Sequence, residues 1–218
     1  MIKPNIIDKI AMVAGWLLFN ERKKVAFYSF WVAMRFFKPY KKKNGLSVAD
    51  SAQLAAWIYG VCMLETGNLE SEYYHKYNNA VNMGQASQRE QYGVEGGYST
   101  LAEGEPIFCW FKYVFYSIWD FGNWCVMHEN DLQNAMIEAE SGGTQVIWHM
   151  VQFQKQNGYF TSNEGTYYAG VLGRAVTDED VIRSGIRCGL LWYVFLWLLI
   201  AAVPAGSVAL LASKEGKR

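Results

Sequence analysis

The sequence predicts a mainly α-helical protein with one small β-hairpin and a transmembrane helix near its C-terminus. Apolar residues recur at helical spacing through most of the chain, which favours helices over strands. The stretch 68–106 is instead rich in Asn, Gly, Tyr and Ser, and it indicates a short hairpin near Tyr92–Thr100. Residues 189–213 contain no charged side chain, which is typical of a membrane span.

Composition excludes several classes of protein. The 218 residues are 51% hydrophobic and 18% charged, with a formal net charge of +0, so an intrinsically disordered chain is excluded. The 4 Pro and 20 Gly exclude a collagen-like chain. The four Cys and three His show no metal-binding spacing, and we therefore expect no metal and no cofactor.

Charge is distributed unevenly along the chain. Residues 1–43 carry ten Lys/Arg and two Asp/Glu, whereas residues 44–188 carry seven and seventeen. We therefore divide the chain into a basic, aromatic N-terminal helical arm (1–43), a body (44–180) and a C-terminal segment (189–213). The arm is either an amphipathic helical layer with a solvated charged face, or a segment whose residues 22–43 contact anionic lipid or nucleic acid.

The helices of the arm and body follow from apolar spacing and from turn residues. The first helix is predicted over 5–19, and the second over 22–37, ending before Pro39. A third begins near Ser47 with a capping box and ends at Thr66–Gly67. Further helices are predicted over 107–127, 131–157 and 166–176, with Gly142–Gly143 as a break in the second of these.

The segment 189–213 is long enough to cross a bilayer, because about 20 apolar residues span a hydrocarbon layer of about 30 Å. Trp192, Tyr193 and Trp197 cluster toward one of its ends, as interfacial aromatic residues do. The alternative is a buried core helix of a soluble protein. Basic residues flank both ends, so the sequence leaves the topology open, and we expect a single-pass anchor in a membrane.

Glu65 is the residue whose position in the sequence indicates a catalytic role. It ends an apolar helix in the sequence Met63-Leu64-Glu65-Thr66-Gly67. Hydrophobic neighbours raise the pKa of a carboxyl group, and a carboxylic acid that stays protonated can donate its proton to a glycosidic oxygen. The plainer interpretation is an ordinary glutamate at a helix end.

Four segments resemble the lysozyme-like superfamily, most closely the glucosaminidase family that cuts bacterial peptidoglycan. They are Ser47 to Gly67, which ends in Leu64-Glu65-Thr66-Gly67; Tyr77-Asn78-Asn79-Ala80-Val81-Asn82-Met83-Gly84; Phe111 to Phe121, with Ser117-Ile118-Trp119-Asp120; and Gly158-Tyr159-Phe160-Thr161 followed by Tyr167-Tyr168-Ala169-Gly170. They occur in the family's order and span about residues 47–176. The resemblance implies a lysozyme-like helical domain over 44–180.

The resemblance also implies a cleft between two helical lobes, with Glu65 as the general acid. A second carboxylate would lie on a β-hairpin, and Glu103 is the best candidate, followed by Glu105, Glu95 and Glu90. Two carboxylates allow water to be activated, which gives hydrolysis. With one acid the sugar's own hydroxyl can close a 1,6-anhydro ring, as similar lytic transglycosylases do. The sequence leaves both reactions open, because Gln85–Gly97 departs from the family's pattern.

Four further residues are predicted to bind the substrate. Asn78 and Asn79 would fix the loop below the site or hydrogen-bond a sugar, and the plainer interpretation of both is a local turn. Tyr159 and Tyr168 would offer rings and hydroxyl groups to sugars, and the plainer interpretation of both is core packing.

The expected function is that of a membrane-anchored enzyme that cleaves peptidoglycan glycan strands, used by a bacteriophage to penetrate or lyse a cell wall. Its bilayer would be the internal membrane of a virion or the inner membrane of the host, and virion proteins would be further partners. One alternative is a structural membrane protein of a virion that keeps the lysozyme-like fold without activity. Another is a lysis factor whose tail and aromatic arm disturb the bilayer.

Overall fold

The computed structural model describes residues 1–44, 48–84, 86, 89–99, 107–139 and 145–215, and within these ranges it describes no side chains at 38–44, 48–50, 73, 98–99, 145, 197 and 199–215. The described elements are α1 (Ile6–Leu18), α2 (Glu21–Asn44), α3 (Val48–Glu65), α4 (Glu72–Tyr77), β1 (Val94–Ser99), β2 (Ile107–Phe111), α5 (Val114–Met127), α6 (Glu129–Glu138), α7 (Gln145–Gln156), α8 (Glu164–Thr177) and α9 (Glu179–Glu215). The prediction of a mainly α protein with one small antiparallel hairpin is confirmed.

Helix α2 lies at the centre of the core. It packs against α3, α9, α5 and α1, and its residues from Val25 to Ala33 are all buried. Phe36 and Phe37 extend this buried surface, and they belong to the same hydrophobic core as Trp57 of α3. The exposed described side chains in the predicted contact segment 22–43 are Arg22, Lys23 and Arg35. Contact of that segment with lipid or nucleic acid stays a prediction.

Helix α1 presents its large apolar side chains to solvent. Ile6, Ile10, Val13 and Leu17 share one helix face by their i, i+4, i+7, i+11 spacing, and all four are exposed. The face toward α2 is made instead of Asp8, Ala11, Ala14 and Gly15. The outward face of α1 is therefore mainly apolar.

A buried carboxylate fixes the orientation of α1. Asp8 accepts hydrogen bonds from the indole Nε1 of Trp31 at 3.0 Å and from the guanidinium of Arg35 at 2.9 Å. The same side chain completes a capping box with Asn5 at the start of the helix. Gly15 allows close packing, since a Cβ atom there would lie 2.4 Å from the ring of Tyr28.

Two predicted boundaries are wrong. Residues 107–111 form strand β2 rather than the start of a helix, because buried Cys109 and Phe111 alternate with exposed Trp110 and the segment pairs with β1. Helix α2 continues through Pro39 to Asn44. The proline removes one backbone hydrogen bond from a helix whose preceding turns, up to Phe37, are stabilised by tertiary packing.

Helix α9 contains the predicted transmembrane segment. Its first half packs against α2 and α3, whereas Leu191, Val194 and Leu198 are exposed. The side chains of Trp197 and of residues 199–213 lie outside the described residues. In the part of the chain that the structure describes, no helix is both long and apolar enough to cross a membrane. The C-terminal anchor stays a prediction.

Candidate functional site

A surface groove with a cavity of about 660 Å³ runs past the C-terminal end of α3. Its walls are the end of α3, the loop before β1, strand β2, and the turn that leads into α8. The lining side chains include Glu65, Asn82, Phe108, Tyr159, Phe160, Thr161, Ser162, Thr166 and Tyr167. The volume is within the usual range of small-molecule and cofactor sites, about 300–1,000 Å³.

Glu65 occupies the last helical position of α3, directly before a regular helix-terminating turn. The amide of Asn68 donates to the carbonyl of Met63 at 2.7 Å, and the amide of Gly67 donates to that of Leu64. Gly67 has a φ of 57°, the left-handed geometry that glycine adopts without strain. Because the chain reverses here, the Glu65 side chain lies at the edge of the helix bundle and reaches the groove.

The Glu65 carboxyl group is held in a largely desolvated position. The hydroxyl of Tyr167 donates a hydrogen bond to its Oε1 at 2.7 Å. Burial raises the pKa of Glu65 above its ordinary value of 4.5, and the interactions with Tyr167 and Asn82 act in the opposite direction without cancelling this effect. The carboxyl group therefore holds its proton to higher pH than an exposed glutamate does, which makes it a candidate proton donor.

A close contact between α3 and α8 brings Tyr167 to Glu65. A Cβ atom on Gly60 would lie only 2.5 Å from the backbone oxygen of Val171, so the glycine permits an approach that a side chain would prevent. Gly170 lies in similar contact with Leu64. Tyr167 was not among the predicted site residues. The buried i, i+4, i+8 pattern of Tyr167, Val171 and Ala175 is the sequence signal that could have identified it.

A buried amide lies behind this pair. Gln154 of α7 is fully buried, and its Oε1 accepts a hydrogen bond from the indole of Trp57 at 2.9 Å. Its Nε2 has no hydrogen-bond partner within the described residues. Burial raises the pKa of Tyr167 strongly, so this residue keeps its proton and remains a donor toward Glu65.

Asn78 and Asn79 position the loop beside the groove and do not line it. Asn79 is buried, its Nδ2 donates to the carbonyls of Met83 and Cys109, and its Oδ1 accepts from the amide of Met83. Asn78 donates to the carbonyls of Phe111 and Lys112. These bonds join the loop to β2 and support the role of fixing the loop. Asn82, three residues further on, is the asparagine that lines the groove.

The two predicted tyrosines occupy different places. Tyr159 lines the groove, but its hydroxyl donates to the backbone carbonyl of Val81, and its ring packs against Phe121 and Trp124. Tyr168 packs its ring edge-on against Trp148 and is not part of the groove lining. Neighbouring residues on a helix point about 100° apart, so only one of Tyr167 and Tyr168 can face α3.

The predicted second acid, Glu103, lies outside the described residues, as does Glu105. Glu90 and Glu95 are exposed and are not among the groove-lining residues. Of the carboxylates within the described ranges, Glu65 is the one that lines this groove. The second acid stays a prediction.

A buried ion pair holds the loop that follows Gly84. The guanidinium of Arg89 donates two hydrogen bonds to the carboxylate of Asp120, which is fully buried in α5. Gln91 donates to the same carboxylate and to the carbonyl of Gly84, and Gly84 bridges to Phe108 of β2. These side-chain bonds to Asp120 fix one wall of the groove.

A second carboxylate lines a different cavity, of about 490 Å³, between α1, α2 and the start of α5. Glu21 accepts hydrogen bonds from Lys24 at 2.5 Å and Tyr74 at 2.7 Å. Burial alone would raise the pKa of Glu21, but these two bonds, together with the Coulombic attraction of Lys24 and His75, outweigh it and the pKa is lowered. Glu21 therefore stays ionised, in contrast to Glu65.

The sequence matches no family model, and neither the curated proteins nor the solved structures include a significant match. Within the described ranges, no group of three or more His, Cys, Asp or Glu could hold a metal ion. The functional assignment therefore depends on the chemistry of the groove residues.

Proposed function

We propose that the protein cleaves glycosidic bonds in the glycan strands of peptidoglycan, with Glu65 as the general acid. The observation that carries the proposal is a carboxyl group of raised pKa that lines an open groove and accepts a hydrogen bond from Tyr167. Perturbed carboxyl groups in a cleft are typical of catalytic sites. The resemblance of the segments around Glu65, Asn79 and Tyr159 to the glucosaminidase family supports the choice of substrate.

The groove offers the contacts that an amino-sugar polymer uses. Phe108 provides aromatic surface on one wall, and ring faces pack on the apolar faces of sugars, whereas one face of Phe160 is covered by the stacked ring of Tyr167. Thr161, Ser162 and Thr166 provide hydroxyl groups along the opposite wall. A chain of sugars passing through the groove would place one glycosidic oxygen beside Glu65.

The proposed reaction begins with transfer of the Glu65 proton to the glycosidic oxygen. The C1–O bond then breaks, and the departing sugar leaves with a free hydroxyl group. C1 is attacked either by water or by the O6 hydroxyl of the same sugar. In the first case a base takes the proton of the water, and in the second the Glu65 carboxylate takes the proton of O6.

Purified peptidoglycan tests the assignment. Clearing of a peptidoglycan gel by the wild type should be lost in Glu65→Gln, by about 10²–10⁴-fold for removal of a general acid. Glu70→Gln is the matched control, because Glu70 is an exposed glutamate five residues away on the following turn. Equal clearing by wild type and Glu65→Gln would reject the assignment.

The released products separate the two reactions. New reducing ends indicate attack by water, whereas 1,6-anhydro sugars detected by mass spectrometry indicate attack by O6. A wild type that binds peptidoglycan and releases neither product would favour the alternative, a structural membrane protein of a virion without activity.

We propose that residues 189–213 anchor the enzyme in a bilayer, either the internal membrane of a bacteriophage virion or the inner membrane of its host. The uncharged length of this segment supports the anchor. Removal of residues 189–218 should make the protein extractable from the membranes of an expressing cell by alkaline carbonate, which releases peripherally bound proteins but not spanning ones. Resistance of the truncated chain to this extraction, or release of the full chain by it, would contradict this.

A further inference from the structure

We infer that the outward face of α1 is a lipid-binding surface that lies in the headgroup region of an anionic bilayer. The surface consists of Ile6, Ile10, Val13 and Leu17, with Trp16 at its edge, and all five side chains are exposed. The inference concerns a surface remote in sequence from the groove and does not depend on the activity of Glu65.

The distribution of side chains around α1 is the first argument. A helix on the surface of a globular protein normally buries its large apolar residues and exposes its polar ones. Here the buried face holds Asp8, Ala11, Ala14 and Gly15, while Leu17 is 64% exposed and Ile6 is 69% exposed. Asp8 accepts a hydrogen bond from Trp31 and forms an ion pair with Arg35, so the helix cannot rotate to bury its apolar face without breaking both interactions.

Charge around the surface favours a bilayer with anionic headgroups. Lys3 and Lys9 are exposed, and Lys9 lies beside the apolar stripe by helical position. The only acidic residue of α1 is the buried Asp8, and the nearby ionised Glu21 is paired with Lys24. A basic rim around an apolar face that carries a tryptophan is the pattern of helices that lie in the membrane interface.

Proximity to α9 favours a membrane over a protein partner. Tyr193 and Leu196 of α9 line one small cavity together with Asn5, Ile7 and Asp8 at the start of α1. On the opposite face of α9, Leu191, Val194 and Leu198 are exposed. The start of α1 therefore lies next to the segment that we propose as the anchor, which brings α1 close to the same bilayer.

A fluorescent label can report the contact in the full chain. We would place a single reactive cysteine at Ile10→Cys, or at Ile137→Cys as the control, in a Cys188→Ser background. Ile10 is 41% exposed and Ile137 is 45% exposed, so the two sites match in residue type and accessibility. The remaining three cysteines are buried. The probe is nitrobenzoxadiazole, and the vesicles contain phosphatidylcholine and phosphatidylglycerol, with or without doxyl-labelled lipid.

The label at position 10 should shift its emission to shorter wavelength in vesicles and lose intensity with doxyl-labelled lipid, and the label at position 137 should not. Lys3→Gln with Lys9→Gln, or omission of phosphatidylglycerol, should weaken the effect.

Absence of quenching at position 10, or equal quenching at both positions, would overturn the inference. A shift at position 10 that depends on protein concentration without vesicles would overturn it too, because a second copy of the chain would then cover the face. None of these outcomes bears on the peptidoglycan assay of Glu65→Gln.

Discussion

The hydroxyl of Tyr167 donates a hydrogen bond of 2.7 Å to Oε1 of Glu65 across the contact between α8 and α3. The bond joins two residues that are 102 positions apart in the sequence. It fixes the carboxyl group at the groove, and it counteracts part of the rise in its pKa that burial causes. The position and the pKa of the proposed proton donor therefore depend on both helices.

Replacement of Tyr167 by Phe should raise the pKa of Glu65 further. The hydrogen bond favours the ionised carboxyl group, so its loss leaves burial less opposed. A ¹³C NMR titration of the Glu65 carboxyl group measures this directly. In the peptidoglycan assay, the alkaline limb of the pH profile should move to higher pH, and the rate should fall on the order of tenfold.

Tyr168→Phe is the control for that change, because Tyr168 lies on the same helix and packs against Trp148 away from the groove. Its pH profile should match that of the wild type. An unmoved Glu65 titration in Tyr167→Phe would show that the hydrogen bond is structural only.

Glu65→Gln should be more stable than the wild type near neutral pH. A carboxyl group whose folded pKa lies above its unfolded value stabilises the fold fully below pH 4.5, and that contribution is lost as pH rises through the folded pKa. Glutamine carries no charge to desolvate and still accepts the bond from Tyr167. Thermal unfolding across this pH range should show the difference shrinking as pH falls below 4.5. A stability difference between Glu65→Gln and the wild type that has the same size at every pH would contradict the raised pKa.

Gly60→Ala should separate α3 from α8. Its Cβ would meet the backbone oxygen of Val171 at 2.5 Å, and an overpacked contact of this kind costs about 1–3 kcal/mol of unfolding free energy. Gly173→Ala on α8 is the control, since no atom lies within 4 Å of its added Cβ. Alanine there should stabilise the helix by about 0.5–1 kcal/mol. Urea unfolding measures both variants, and equal stability of the two would refute the close contact.

Asp120→Asn should destabilise the protein by about 3–5 kcal/mol, because it leaves the nearly buried guanidinium of Arg89 without its counter-charge. The double variant Arg89→Met with Asp120→Leu should be less destabilised than Arg89→Met alone or Asp120→Leu alone, since both charges are then absent. A double-mutant cycle by urea unfolding gives the coupling energy. Additive effects would indicate that the pair is not coupled.

Local patterns in the sequence were sufficient for most helices. The apolar spacing up to Leu64 and the Thr66–Gly67 turn predicted a helix ending at Glu65, and α3 ends there. Helix α8 agrees equally well with its predicted range of 166–176, and Asn163 caps it by accepting from the amide of Thr166. In these helices, the sequence pattern that predicts the element and the contacts that form it both involve residues only a few positions apart.

The strand at 107–111 and the roles of the asparagines required long-range pairing. Residues 107–111 are aromatic and apolar enough for a buried helix, and only their pairing with β1 makes them a strand. The Asn-Asn pair predicted either a fixed loop or sugar contacts, and the fold shows that Asn79 joins the loop to β2.

The sequence by itself determined the helical class of this protein and the position of Glu65 at the end of an apolar helix, since both follow from local spacing and turn chemistry. The tertiary structure alone decided that Tyr167 rather than Tyr168 meets that carboxyl group, because the approach of α8 at Gly60 sets which face of the helix turns inward. It also decided that α1 turns its small residues toward the core, because buried Asp8 finds its partners on α2. Periodicity shows that a helix has two faces, and packing partners determine which of them is buried.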